Sequence, residues 1–128
     1  MEWKLEVAVI PVSDVDGSKS FYADKLGFHV DVDTGPAAPT RVVQFTPQGS
    51  ACSVVIGPAR IAPGQEPGPR GMLQLVVTDI VTARGELMAR GVEVSPIQVL
   101  DPRDGGTFVF FSDPDGNSWA IQEMRGDR

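Results

Sequence analysis

The chain repeats itself, and that constrains its fold more than any other feature. Val12-Ser-Asp-Val15 returns as Val77-Thr-Asp-Ile80, Lys25-Leu-Gly-Phe28 as Ala89-Arg-Gly-Val92, and Phe45-Thr-Pro-Gln-Gly-Ser50 as Phe111-Ser-Asp-Pro-Asp-Gly-Asn117. The spacing is roughly 65 residues, long enough for one supersecondary unit that cannot bury its own apolar face and so pairs with a twin. A single-copy ferredoxin-like sandwich accounts for the sequence less well, because it does not require the same capping motif twice.

Each copy reads as βαβββ. Residues 4–12 are rich in β-branched side chains and predict a strand, and Ser13-Asp14 supplies oxygens to cap a helix over 15–26. Val15, Phe21, Tyr22 and Leu26 share a face of that helix, and Gly27 offers its left-handed stop. Strands follow at 28–33, 41–46 and 51–56, separated by the TGPAAPT loop and a PQGS turn. Residues 57–71, GPARIAPGQEPGPRG, have no period and read as an extended surface linker. The second copy then runs through a strand at 72–77, a helix at 80–90 with Ile80, Ala83, Leu87 and Met88 inward, and the stop Gly91. Strands are expected at 92–94, 107–111 and 118–123, with a loop at 95–106 and a tight turn at Asp113–Asn117. The expectation is a single α+β domain of 128 residues: a first βαβββ module at 1–56, the linker at 57–71, and a second βαβββ module at 72–128.

Composition narrows the function classes. A net charge of −6 with only 11 scattered basic residues argues against a nucleic-acid partner, because phosphate contacts need clustered Lys and Arg. A neutral or cationic small molecule suits that field better. No apolar run reaches the roughly 18 residues of a membrane span, and the single cysteine, Cys52, allows no intrachain disulfide. The opening MEWKLEVAVIPV is too short and too acidic for a secretory signal, so a soluble, cytoplasmic protein is expected.

The stretches PVSDVDGSKSFYADKLGF, VVTDIVTARGELMARGVEV and FFSDPDGNSWAIQE together resemble the vicinal oxygen chelate superfamily, which includes glyoxalase I, bleomycin-resistance proteins and ring-cleaving dioxygenases. The resemblance covers nearly the whole chain. It implies two modules forming a curled mixed sheet around a cavity, helices on the outer faces, and a homodimer. It also implies four places for metal ligands, on the first and last strand of each module. Here they carry Val7, Ser53, Met72 and Ala120. A divalent ion needs carboxylates or imidazoles, so no metal and no cofactor is expected. Gln74 and Gln122 lie two residues further along the same strand faces, but neutral amides are feeble ligands. Glu6 and Glu123 fall on the opposite faces by parity.

Strand alternation gives the expected cavity wall: Val7, Val9, Val42, Gln44, Ser53, Val55, Met72, Gln74, Phe108, Phe110, Ala120 and Gln122. Such a set, apolar with a few neutral hydrogen-bonding groups, suits an aromatic or drug-like ligand better than proton transfer. The same residues would also serve as a collapsed core. His29 is expected to be structural or solvent-facing, Cys52 a small buried hydrophobe and Trp119 core, while Trp3 is either pocket rim or exposed. Loops 34–40 and 97–106, the second carrying Asp101, Arg103 and Asp104, are the natural places for ligand-specific contacts. Asp113–Asn117 lacks the twelve-residue calcium spacing and reads as a turn. The functional expectation is a metal-free protein that binds and sequesters a hydrophobic, aromatic natural product or antibiotic. The alternatives are a glyoxalase-like lyase or isomerase, or a natural-product biosynthetic enzyme, with an atypical or absent metal site, and a dimeric structural partner.

Overall fold

The computed structural model describes residues 1–58, 67, 72–101 and 106–124. The chain divides into two compact units, Met1–Gly68 and Pro69–Arg128. The boundary falls inside the expected linker, whose residues 59–66 and 68–71 lie outside the described ones.

The first unit contains β1 (Val7–Val12), α1 (Val15–Ser20) running into a π turn (Phe21–Lys25), β2 (His29–Asp33), β3 (Val43–Thr46) and β4 (Ser53–Pro58). The second contains β5 (Leu73–Val77), α2 (Ile80–Ala89), β6 (Gln98–Asp101), β7 (Gly106–Ser112) and β8 (Ser118–Glu123). Each forms its own four-stranded mixed sheet with one topology: β1-β4-β3-β2 in the first, β5-β8-β7-β6 in the second. The first and last strands pair in parallel (Val9↔Val55; Leu75↔Ile121), and the other pairs are antiparallel. The fold class is therefore α+β, and the doubled module read from the sequence is present.

In each unit one sheet face carries the helix. Ile10, Val12, Val43, Phe45, Val54 and Ile56 are buried on that face in the first unit, and Val109, Phe111, Trp119 and Ile121 in the second. Tyr22 is the hub of the first core, with its ring centroid 5.3 Å from Phe21, 6.1 Å from Phe28 and 5.6 Å from Phe45. In the second core the rings of Phe111 and Trp119 lie parallel, 6.0 Å apart. Burying a large apolar side chain of this kind stabilises by about 1.5–3 kcal/mol, so these faces hold the units together.

Four expectations need correction. Residues 92–94 form no strand, and the second strand of the repeat is β6, inside the segment expected to be loop. Val92 is buried against the helix end instead, its N–H bonding the Leu87 carbonyl at 3.0 Å. Pro96 then has no N–H to give a ladder, while Ser95 bonds Phe110 through both its N–H and its hydroxyl. Met88 is 51% exposed rather than inward. It sits about 80° round the helix from Ile80, whereas Leu87 lies about 20° away. Asp79 caps α2, accepting from the Thr82 N–H at 3.1 Å, but Asp14 makes no side-chain cap bond to α1. Thr82 also donates its hydroxyl to Asp79, and the residue at the matching place in α1 is Gly17, which has none to give. Cys52 is half-buried in the turn before β4, with Sγ 3.7 Å from the Ser53 carbonyl, so it is no core residue.

The π turn has a sequence origin. From Val15 to Phe28 is one residue further than from Ile80 to Val92. An extra residue in a helix is absorbed by an i→i+5 bond, here Leu26 N–H to the Phe21 carbonyl at 3.0 Å. The closing bonds differ by that same residue, Phe28 to Tyr22 against Val92 to Leu87.

Candidate functional site

The twelve residues expected to line a cavity fall into two sets of six, one per unit, and each set lies on the sheet face opposite the helix. Cross-strand partners share a face. In the first unit Val7 pairs with Ser53, and Val55 with both Val9 and Gln44. Val42 lies two residues before Gln44 and binds Thr34 at the start of β3. In the second unit Ala120 pairs with both Gln74 and Phe110, and Gln122 with Phe108. Met72 precedes β5 with the same parity.

The two faces differ in chemistry. On the second, the rings of Phe108 and Phe110 are stacked, 5.9 Å apart and 5° from parallel, and both remain partly exposed. Beside them the Gln74 side-chain amide donates to the Gln122 amide oxygen at 2.7 Å. Gln122 is buried, and Gly106, at φ +103°, lies so close that a Cβ there would stand 2.5 Å from its Nε2. The glycine thus leaves room for the amide pair. An open pocket of about 300 Å³ adjoins this face, lined by Met72, Phe110, Phe111, Ser112, Ser118 and Trp119. The last strand turns at Asp113–Asn117, where the Asp113 carboxylate accepts the N–H groups of Asp115 and Asn117 and the Asn117 amide, so this aspartate is committed to the turn.

The first face carries a polar ladder that alternation along the sequence did not reveal. His29, Asp31 and Asp33 share parity, but the pairing of β2 with β3 shifts between Val30 and Val32. This bulge separates the two aspartates. Asp31 accepts from the Thr46 hydroxyl and from Gln44 Nε2 at 3.3 Å, and Thr46 Oγ1 lies 2.7 Å from Ser53 Oγ. Asp33 turns instead to Lys19 Nζ at 2.7 Å, Arg41 Nη2 at 3.0 Å and the Gly35 N–H at 2.8 Å. Hydrogen bonds from Arg41, then Lys19 and Gly35, hold the Asp33 carboxyl far below the usual carboxylate range, and Asp33 with Asp16 raises the Arg41 guanidinium. The Asp79 carboxyl is lowered by the Thr82 N–H and hydroxyl.

The places that the resemblance assigns to metal ligands carry a hydroxyl and an aliphatic group in the first unit, Ser53 and Val7, and a thioether and an aliphatic group in the second, Met72 and Ala120. That donor set does not fit a divalent cation, which needs carboxylates or imidazoles. Gln74 and Gln122, two residues along, are neutral amides joined by one hydrogen bond. Glu123 Oε2 accepts the Ile80 N–H at 3.0 Å on the helix side, away from the open face. Among the described residues no three of His, Cys, Asp and Glu converge as a metal site requires.

Of the remaining candidates, His29 is exposed, with Nε2 3.8 Å from Asp31. Trp119 is core at 2% exposure, and Trp3 is 88% exposed before β1 begins. Arg103 and Asp104 lie outside the described residues. No described helix is long and apolar enough to cross a membrane.

Comparison with known proteins places this geometry among relatives. A model of the Glyoxalase/Bleomycin resistance protein/Dioxygenase superfamily matches residues 4–121. TnmS3, an antibiotic binding protein from Streptomyces sp. CB03234, is similar in structure with a TM-score of 0.81 and 31% sequence identity, covering 97% of this chain and 98% of that one. A superfamily member from Sphaerobacter thermophilus DSM 20745 gives a TM-score of 0.80 at 29% identity, covering 96% and 98%. YetH, an uncharacterized protein of Bacillus subtilis (strain 168), is 26% identical over 122 residues, 94% of this chain and 98% of its own length.

Proposed function

We propose that this chain, which belongs to the Glyoxalase/Bleomycin resistance protein/Dioxygenase superfamily, is a metal-free binding protein that sequesters a hydrophobic, aromatic small molecule such as a natural product or antibiotic. The observation that carries this reading is the parallel Phe108–Phe110 pair, partly uncovered on a face whose neighbouring polar groups are neutral amides. Two parallel rings, partly exposed, offer a planar guest stacking surface, and apolar burial contributes about 25 cal/mol per Å² removed from water before the costs of association. The Gln74–Gln122 pair would orient such a guest through its spare amide donors and acceptor. Met72 and Ala120 complete the contact surface proposed on this unit. Val7, Val9, Val42, Gln44, Ser53 and Val55 are the residues proposed to contact ligand on the other. The likeness to TnmS3, an antibiotic binding protein, supports the same reading.

Sequestration acts by mass action and requires no bond to be made or broken. Titration with planar aromatic antibiotics, followed by Trp119 fluorescence in a Trp3→Phe background, tests it. Saturable quenching with a dissociation constant below ~10 μM is expected, and absence of saturation by ~1 mM across the panel would overturn the reading. The protein is further proposed to be a cytoplasmic homodimer, which light scattering on the purified chain would check. Elemental analysis after native purification is expected to find no stoichiometric transition metal.

A further inference from the structure

We propose that the open face of the first unit holds a separate site for a protonated amine, built from Asp31, Thr46 and Ser53. The contrast with Asp33, two residues along the same strand, motivates it. Asp33 is neutralised by Lys19 and Arg41. Asp31 has no such partner: among the described residues its one basic neighbour is the exposed His29 at 3.8 Å. The bulge at Val30–Val32 aims it onto the open face, the re-aiming for which bulges are known.

The hydrogen bonds around Asp31 have a fixed sense. A carboxylate only accepts, so the Thr46 hydroxyl proton points to Asp31. Thr46 Oγ1 is then the acceptor for Ser53, whose own proton is spent at 2.7 Å. Gln44 gives one amide hydrogen to Asp31 Oδ2, and what the carboxylate and the two hydroxyls themselves offer outward is acceptor capacity: Asp31 Oδ1, and the remaining lone pairs of Thr46 and Ser53. Ser53 is buried at 8% exposure, while the Asp31 side chain is 25% exposed and reachable. An acceptor array around an uncompensated negative charge selects a cationic donor, because charge-assisted hydrogen bonds are roughly twice as strong as neutral ones. The net charge of −6 adds to the attraction.

This site shares Ser53 with the contact set proposed above, but Asp31 and Thr46 lie outside that set and the site does not depend on the Phe108–Phe110 face. The test is a titration of the ¹⁵N-labelled protein with benzylammonium and, separately, benzyl alcohol, at neutral pH and low ionic strength. Benzylammonium is expected to shift the amides of Asp31, Thr46 and Ser53 saturably and at least about fivefold more tightly than the alcohol. Asp31→Asn, which keeps the shape and removes the charge, should abolish the preference, and Thr46→Val should weaken it. The paired substitution Phe108→Ala and Phe110→Ala should leave these shifts in place, so failure of the aromatic site is read independently. Absence of saturable shifts at these amides in the folded protein would overturn the proposal. So would an unchanged preference in Asp31→Asn or, should that variant not fold, in Thr46→Val.

Discussion

The two units share a strand order, a helix position and a register shift between equivalent strands, yet they differ at the helix, at its cap and on the open face. The first helix carries one extra residue and a π turn, and the second is regular. The first cap lacks its side-chain bond, whereas Asp79 makes two with Thr82. The buried faces are alike in kind, but the open faces are not: hydroxyls and a carboxylate on β2–β3–β4, stacked rings and amides on β5–β8–β7. The topology is thus fixed by the helix-packed faces, where nearly every position is apolar. The opposite faces are free to specialise, since a strand's alternate residues contribute little to that core.

Experiments can break or sharpen this contrast. The largest effect should come from replacing both Phe108 and Phe110 by Ala, with about 10- to 100-fold weaker binding of planar aromatic antibiotics. Val55→Ala on the other face, which trims a smaller contact, should weaken that affinity by only about two- to threefold. Equal losses at both would erase the distinction between the faces.

Next in size is Asp33→Asn, which strips the first unit of the anion that Lys19 and Arg41 share. Its folded-state carboxyl lies below the unfolded value, so its contribution is present above an unfolded pKa near 3.9 and is lost as pH falls through the folded value. The wild type should lose stability through that acid range more steeply than Asp33→Asn, as followed by thermal melts between about pH 5 and 2. A smaller difference separates the caps. Asp79→Ala should lower Tm by about 3–5 °C and Asp14→Ala by under about 1 °C. The smallest change is expected from deleting the exposed Asp24. Removing the inserted residue should restore a regular helix with Tm within about 2 °C of wild type, and a chain that no longer folds would refute the insertion account.

The repeat, the helix positions and the parity of the open faces were legible because they rest on period and capping, which are local. Trp119 and Ile121 alternate with Ala120 and Gln122 in the sequence as they do in β8. What was not legible depended on register. The bulge in β2 gives Asp31 and Asp33 opposite surroundings although HVDVD alternates without a break. Residues 92–94 look like a strand, but Val92 is claimed by the helix end and the ladder resumes only where Gln98 meets Phe108. The amide pair Gln74–Gln122 could be placed on one face from parity, yet its mutual bond depends on Gly106, 16 residues from Gln122 in the chain and without a side chain to announce itself.

The parallel pairing of first strand with last, Val7 with Ser53 and Leu73 with Trp119, sets the order in which the chain can fold. Neither sheet can seat its opening strand until its closing strand exists, so each unit must hold β1 or β5 in waiting while some forty residues follow. During synthesis the first unit can close once β4 has emerged, before the second unit's helix has left the ribosome. A ribosome-stalled chain ending after Pro58 and its emergence length should therefore resist protease, while one ending before Ser53 should not.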